Sequence, residues 1–153
     1  MGHYYFDSSA LIKRYVVETG TTWVNNLCHV SQEHTLYVVR IRGAELIAAL
    51  FRRVRNGDIA LADGQAAATQ FRADFRNNYQ VVEVTEHLID LAMILAEKNS
   101  LRGYDSVQLA GAMALQSIRT TLSLSPLTFV CADNHLNTVA AAEGLAVENP
   151  NNY

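Results

Sequence analysis

The chain has 153 residues, half of them apolar and 18% charged, which excludes disorder and allows one domain with a buried core. A net charge of −3 and a pI near 5.9 exclude a protein that grips nucleic acid by its overall field. They do not exclude a nuclease, since bound cations can make the phosphate contact instead.

In chain order, Tyr4-Tyr5-Phe6 reads as a strand that stops at Asp7, with Ser8 and Ser9 opening a helix over Ala10 to Val17. Thr21 or Thr22 is expected to cap a short helix from Trp23 to Val30, and Thr35 to Val39 is a second strand. Ile41 to Arg55 is strongly amphipathic. Its expected buried stripe is Ala44, Ile47, Ala48 and Phe51, with Arg42, Arg52, Arg53 and Arg55 outside and Asn56-Gly57 as the stop. Ala60 to Asn77 is an alanine-rich helix, Gln80 to Val84 a third strand, and Thr85 caps a helix from His87 to Asn99. Asp105 to Ser117 is a helix dense in small residues, which suits a close approach to another element. Thr120 to Pro126 reads as a loop, Leu127 to Ala132 as a fourth strand ending near Asp133, and Asn137 to Glu143 as a helix closed by Gly144. Leu145 to Val147 is a last short strand. Strands alternating with helices imply α/β architecture, a small parallel sheet of four or five strands with helices on both faces, in one domain over 1–153.

Asp7 and Asp133 follow strands, so in a parallel sheet they share its carboxyl edge, where open α/β folds form their crevices. Glu45 and Asp105 lie in the first turns of helices that face that edge. Singly, Asp7 and Asp133 read equally well as helix caps, and Glu45 and Asp105 as acids that favour a helix dipole. Together the four would repel one another unless a cation neutralised them, and oxygen ligands suit Mg²⁺ or Mn²⁺. Such an ion polarises a phosphodiester and activates water for in-line attack.

The strings YYFDSSALIKRYVVE, GAELIAAL, LRGYDSVQLAGAMAL and FVCADNHLNTVAAAEGLAVENP, in that order across nearly the whole chain, resemble the PIN-domain ribonucleases. Within them the likeness is to the VapC-type toxins of bacterial toxin–antitoxin pairs. The resemblance implies a PIN-like three-layer sandwich and a metal-dependent endoribonuclease. It places the catalytic and metal-binding acids on Asp7, Glu45, Asp105 and Asp133, with Ser9 and Asn137 as accessory residues. It also implies an RNA substrate, a cognate antitoxin that fills the crevice, and a homodimer. Arg40 departs from the pattern, standing where the family usually has Ser or Thr; an arginine there suits an RNA phosphate, an antitoxin or solvent.

Several bland readings stand beside these. The Arg52-Arg53-Arg55 run reads as a solvated face, Tyr104 as packed and His135 as solvent-facing. A catalytically inactive PIN-like scaffold that only binds a partner is the competing function. An aspartyl phosphatase is disfavoured because Ser9 stands where its second acid belongs. No apolar run approaches the ~18–20 residues that span a bilayer, and no export signal interrupts the reading of Cys28 and Cys131 as free thiols in a cytoplasmic protein.

Overall fold

The computed structural model describes residues 1–153. Five strands, β1 (His3–Phe6), β2 (Thr35–Val39), β3 (Tyr79–Val82), β4 (Thr128–Val130) and β5 (Ala146–Glu148), form one sheet in the order β3-β2-β1-β4-β5. Every neighbouring pair is parallel, with Tyr4 opposite both Leu36 and Thr128. Parallel pairing obliges a crossover between strands, and helices supply it. The crossovers are α1 (Ser8–Leu11) with α2 (Thr21–Leu27), α3 (Arg42–Arg55) with α4 (Leu61–Asn77), α5 (Glu86–Asn99) with α6 (Gly103–Thr121), and α7 (Asn134–Ala142).

The period of two along the strands sorts the core into two layers. Tyr5, Phe129 and Cys131 pack with Leu88 and Leu95 of α5, Leu109 of α6 and Leu136 of α7. Phe6, Val38 and Val130 face the other way, onto Leu11, Leu46, Leu50 and Phe71. This is the expected α/β sandwich, with helices on both faces. Gly111 explains how closely α6 approaches β1, because a Cβ there would lie 2.2 Å from the Tyr5 hydroxyl oxygen.

Three expectations shift. The first helix is shorter than its apolar pattern, giving way after Leu11 to a 3₁₀ turn over Ile12–Arg14. Lys13 there is buried and reaches Glu18 Oε1 at 3.1 Å and the Thr19 carbonyl at 2.8 Å, contacts that hold the chain out of the helical path. At α2 the N-cap is Gly20, in the left-handed region at φ 86°, not a threonine. The buried stripe of α3 is Arg42, Leu46 and Leu50, at i, i+4 and i+8, whereas Ala44 and Ala48 are exposed. The helix carries apolar residues around more than one face, so two stripes fit the sequence, and the placement of Arg42 is explained only by the site.

Candidate active site

The chain leaves the centre of the sheet through β1 and later returns to the far side of the same strand through β4. That reversal opens a crevice at the carboxyl ends of β1 and β4. Asp7, immediately after β1, is tied to β4 by its backbone N–H, which donates to the Val130 carbonyl at 2.9 Å. Its Oδ2 accepts from the Ser9 N–H at 2.9 Å and the Ser9 hydroxyl at 2.6 Å. Asp7 therefore caps α1 as well as standing at the strand end. Ser9 Oγ in turn accepts from the Ala132 N–H at 2.9 Å, so one hydroxyl stitches the loops after β1 and β4 together.

Glu45 lies in the first turn of α3 and is half-buried. Its Oε2 accepts from Ser8 Oγ at 3.0 Å, from Gln108 Nε2 and from Arg42 Nη1 at 3.4 Å. Burial raises the Glu45 pKa above the usual carboxylate range; Arg42 and the hydrogen bonds from Ser8 and Gln108 oppose that rise, and the charge of Asp7 adds to it. Asp133 caps α7 through Oδ1, which accepts from the Leu136 N–H at 2.9 Å, and it is exposed. Asp105, in the first turn of α6, is half-buried. Burial raises its pKa, and the charges of Asp7, Asp133 and Glu45 raise it further, with Arg102 opposing them. Asp105 is thus within electrostatic reach of all three other acids.

Asn137, one turn into α7, donates to the Cys131 carbonyl at 2.8 Å, and its buried Oδ1 has no partner. Such an acceptor is normally satisfied by an ordered water or a ligand. The Cys131 thiol lies under the acids, 3.6 Å from Ser9 Oγ, and burial and the Asp7 charge push its pKa up, so it is an inert structural thiol.

The donor set tests the implied cation in two ways. By chemistry it fits, being oxygen-only and negatively charged. By spacing it is open, since no three of the His, Cys, Asp and Glu side chains are drawn together around one point.

Comparison with known proteins decides the family. The chain is 32% identical over 146 residues, 94% of its length, to ribonuclease VapC45 and equally to ribonuclease VapC49, both of Mycobacterium tuberculosis, and the match spans 92% of each relative. The chain belongs to the VapC ribonuclease family. No protein-family model matches it. Two solved structures share the fold of this VapC chain. PAE2754 from Pyrobaculum aerophilum matches at TM-score 0.63, 18% identity, with 95% of this chain and 83% of that one covered. FitAcB from Neisseria gonorrhoeae matches at TM-score 0.57, 13% identity, with 96% and 97% covered.

Two residues of the VapC chain's crevice were not legible as such. Arg42 is wholly buried at 0% exposure, not on the solvent face, and Gln108 beside it is buried too. One signal was available for Arg42: a cation in the first turn of a helix opposes the helix dipole, so something else must hold it there. Arg40, by contrast, turns away to the exposed Glu83, to which its Nε donates at 3.1 Å, and lies over the Phe75 ring at 5.7 Å. Tyr104 beside Asp105 is exposed, not packed. His135 is exposed as expected. Of the basic run on α3, Arg52 and Arg55 are exposed, while Arg53 pairs with Glu18 at 2.7 Å.

Proposed function

We propose that this chain is a metal-dependent endoribonuclease, the toxin component of a toxin–antitoxin pair, with Asp7, Glu45, Asp105 and Asp133 as the acids of its active site. The observation that carries the reading is that a chain belonging to the VapC ribonucleases sets Asp7 and Asp133 after the adjacent strands β1 and β4, with Glu45 and Asp105 in the first turns of α3 and α6. The four acids are the residues that would hold Mg²⁺ or Mn²⁺. When bound, such an ion neutralises charge on the scissile phosphate and lowers the pKa of water.

The chain's own residues supply orientation and a proton acceptor. Ser9 fixes Asp7 in one rotamer and ties it to the β4 loop. All three donors to Glu45 fall on Oε2, which leaves Oε1 to take a proton from the attacking water. Asn137 Oδ1 offers an acceptor to a water at the same edge. The exposed Tyr104 ring beside Asp105 is placed to stack on an RNA base. A cognate antitoxin that covers the crevice with a cationic group, and a homodimeric assembly, complete the reading.

The test is cleavage of a fluorescently labelled single-stranded RNA by the purified protein. Cleavage is expected with Mg²⁺ or Mn²⁺, lost in EDTA and restored by either ion. Cleavage that persists in EDTA overturns the metal-dependent reading. No cleavage of any RNA with ion present leaves the inactive scaffold.

A further inference from the structure

Arg42 has an unusual position for a charged side chain. It is completely buried, yet it belongs to neither apolar layer and lies among the crevice acids. Nη1 donates to Ser8 Oγ and to Glu45 Oε2, the latter at 3.4 Å. Nη2 donates to the Phe6 carbonyl at 2.8 Å and to Gln108 Oε1, and lies 3.7 Å from Asp7 Oδ1. The guanidinium therefore occupies the space between Asp7 and Glu45.

Gln108 fixes that arrangement. Its oxygen accepts from Arg42 while its nitrogen donates to Glu45 Oε2, so the amide can face only one way. Gln108 stands three residues after Asp105 on α6, and Ser8 directly follows Asp7. The clamp is thus built from the elements that carry Asp7, Glu45 and Asp105. A buried charge costs several kcal/mol in desolvation, and Arg42 is left with an unpartnered Nε as well. Burial on those terms is retained here by the acids.

Charge counting gives the arrangement a function. With all four acids ionised and Arg42 as the one buried cation among them, three negative charges are left in the crevice against the exposed Arg102 at its rim, and one divalent ion reduces those three to one. A second divalent ion would make the site positive and would have to displace Arg42 from between Asp7 and Glu45.

We propose that Arg42 is a resident cation standing between Asp7 and Glu45, where a second divalent ion would otherwise bind, so that the crevice takes up a single ion. Gln108 is the positioning residue that keeps Arg42 and Glu45 aligned. The proposal rests on the ion-dependent reading above.

The experiment is a calorimetric titration of Mn²⁺ into the full-length protein, with the bound ion counted by electron paramagnetic resonance. The expected count is one per chain for the natural protein and for Arg42→Lys, and two for Arg42→Gln. Gln108→Leu, which leaves the charge in place, is expected to keep one ion while kcat falls about tenfold or more with KM little changed, the scale on which lost ligand support is felt. Two ions in the natural protein overturn the proposal. So does one ion in a folded Arg42→Gln variant whose only change is a lower melting temperature, since that marks a merely structural arginine. If circular dichroism shows Arg42→Gln unfolded, Arg42→Met, which keeps the apolar stem and removes the charge, takes its place: two ions sustain the proposal and one sinks it. No ion bound by the natural protein overturns the ion-dependent reading itself, and this proposal with it.

Discussion

Each end of the sheet holds an arginine against acids, and the two ends balance their charges differently. At the amino end, near Tyr79 at the start of β3, Arg14 Nε donates to Asp74 Oδ2 at 3.1 Å. Asp74 also accepts from the Tyr15 hydroxyl at 2.8 Å and from Asn78 Nδ2 at 2.7 Å, and Tyr15 meets the Tyr79 hydroxyl. One cation faces one anion, and both carboxylate oxygens have donors. At the carboxyl end, Arg42 faces Asp7 and Glu45, and Asp105 carries the field of those two acids and of Asp133. A closed pair serves the fold; a surplus of negative charge is a structural cost that makes sense only where something positive arrives.

The comparison can be broken from either end. The largest effect is expected for Asp7→Asn, which retains a capping oxygen for α1 and so leaves the fold in place. Its RNA cleavage should fall by about a hundredfold or more, the scale of losing one preorganised charge-stabilising group. Unchanged turnover in a labelled-RNA assay would remove Asp7 from the site. Next comes Asp74→Ala, which strands the Arg14 charge and the Tyr15 hydroxyl. Urea unfolding should show a loss of about 3 kcal/mol, while cleavage per folded molecule is unchanged. A loss of turnover without a loss of stability would assign Asp74 to the active site instead.

A smaller effect follows from Asp105, whose pKa is raised above its ordinary value of 3.8 in the folded protein. Between that value and the raised one, the folded state keeps a proton that the unfolded chain has released. The stability of the ion-free protein therefore falls as pH rises through that window. Asp105→Asn should lessen the fall, the raised Glu45 carboxyl supplying the remainder, and modestly raise the melting temperature at neutral pH without metal. A flat melting profile in the natural protein would show that the acids do not repel there. The smallest effect is expected for Arg40→Ala, whose partner Glu83 is as exposed as itself. Neither melting temperature nor cleavage should change measurably. A drop in cleavage would place Arg40 on the path of the RNA.

What the sequence revealed and what it hid divide along the same line. Asp7, Glu45, Asp105 and Asp133 could be nominated from the sequence because each sits beside a strand end or in a first helical turn, positions that local pattern marks. For Asp7 and Asp133 the capping reading is also right, since each accepts a backbone N–H from its own helix. The helix after Thr85 was legible for the same reason, its hydroxyl accepting from the Leu88 N–H at 3.1 Å. Arg42 was hidden because its partners are tertiary. Gln108 lies 66 residues away and Ser8 lies 34 away. Nothing within a helical turn distinguishes an arginine bound for solvent from one drawn inward by distant acids. The early end of α1 was hidden likewise, its cause being contacts of Lys13 and Tyr15 with later residues.

The order β3-β2-β1-β4-β5 has a consequence for how the protein comes into being. The middle strand is the first to leave the ribosome, but its second neighbour begins only at Thr128. Until then a nascent polypeptide holds Asp7, Glu45 and Asp105 with no β4 loop for Ser9 to grip and no Asp133. A translation product cut short before Leu127 therefore lacks β4 and the fourth acid of the proposed site, and the crevice takes shape only after β4 has been made.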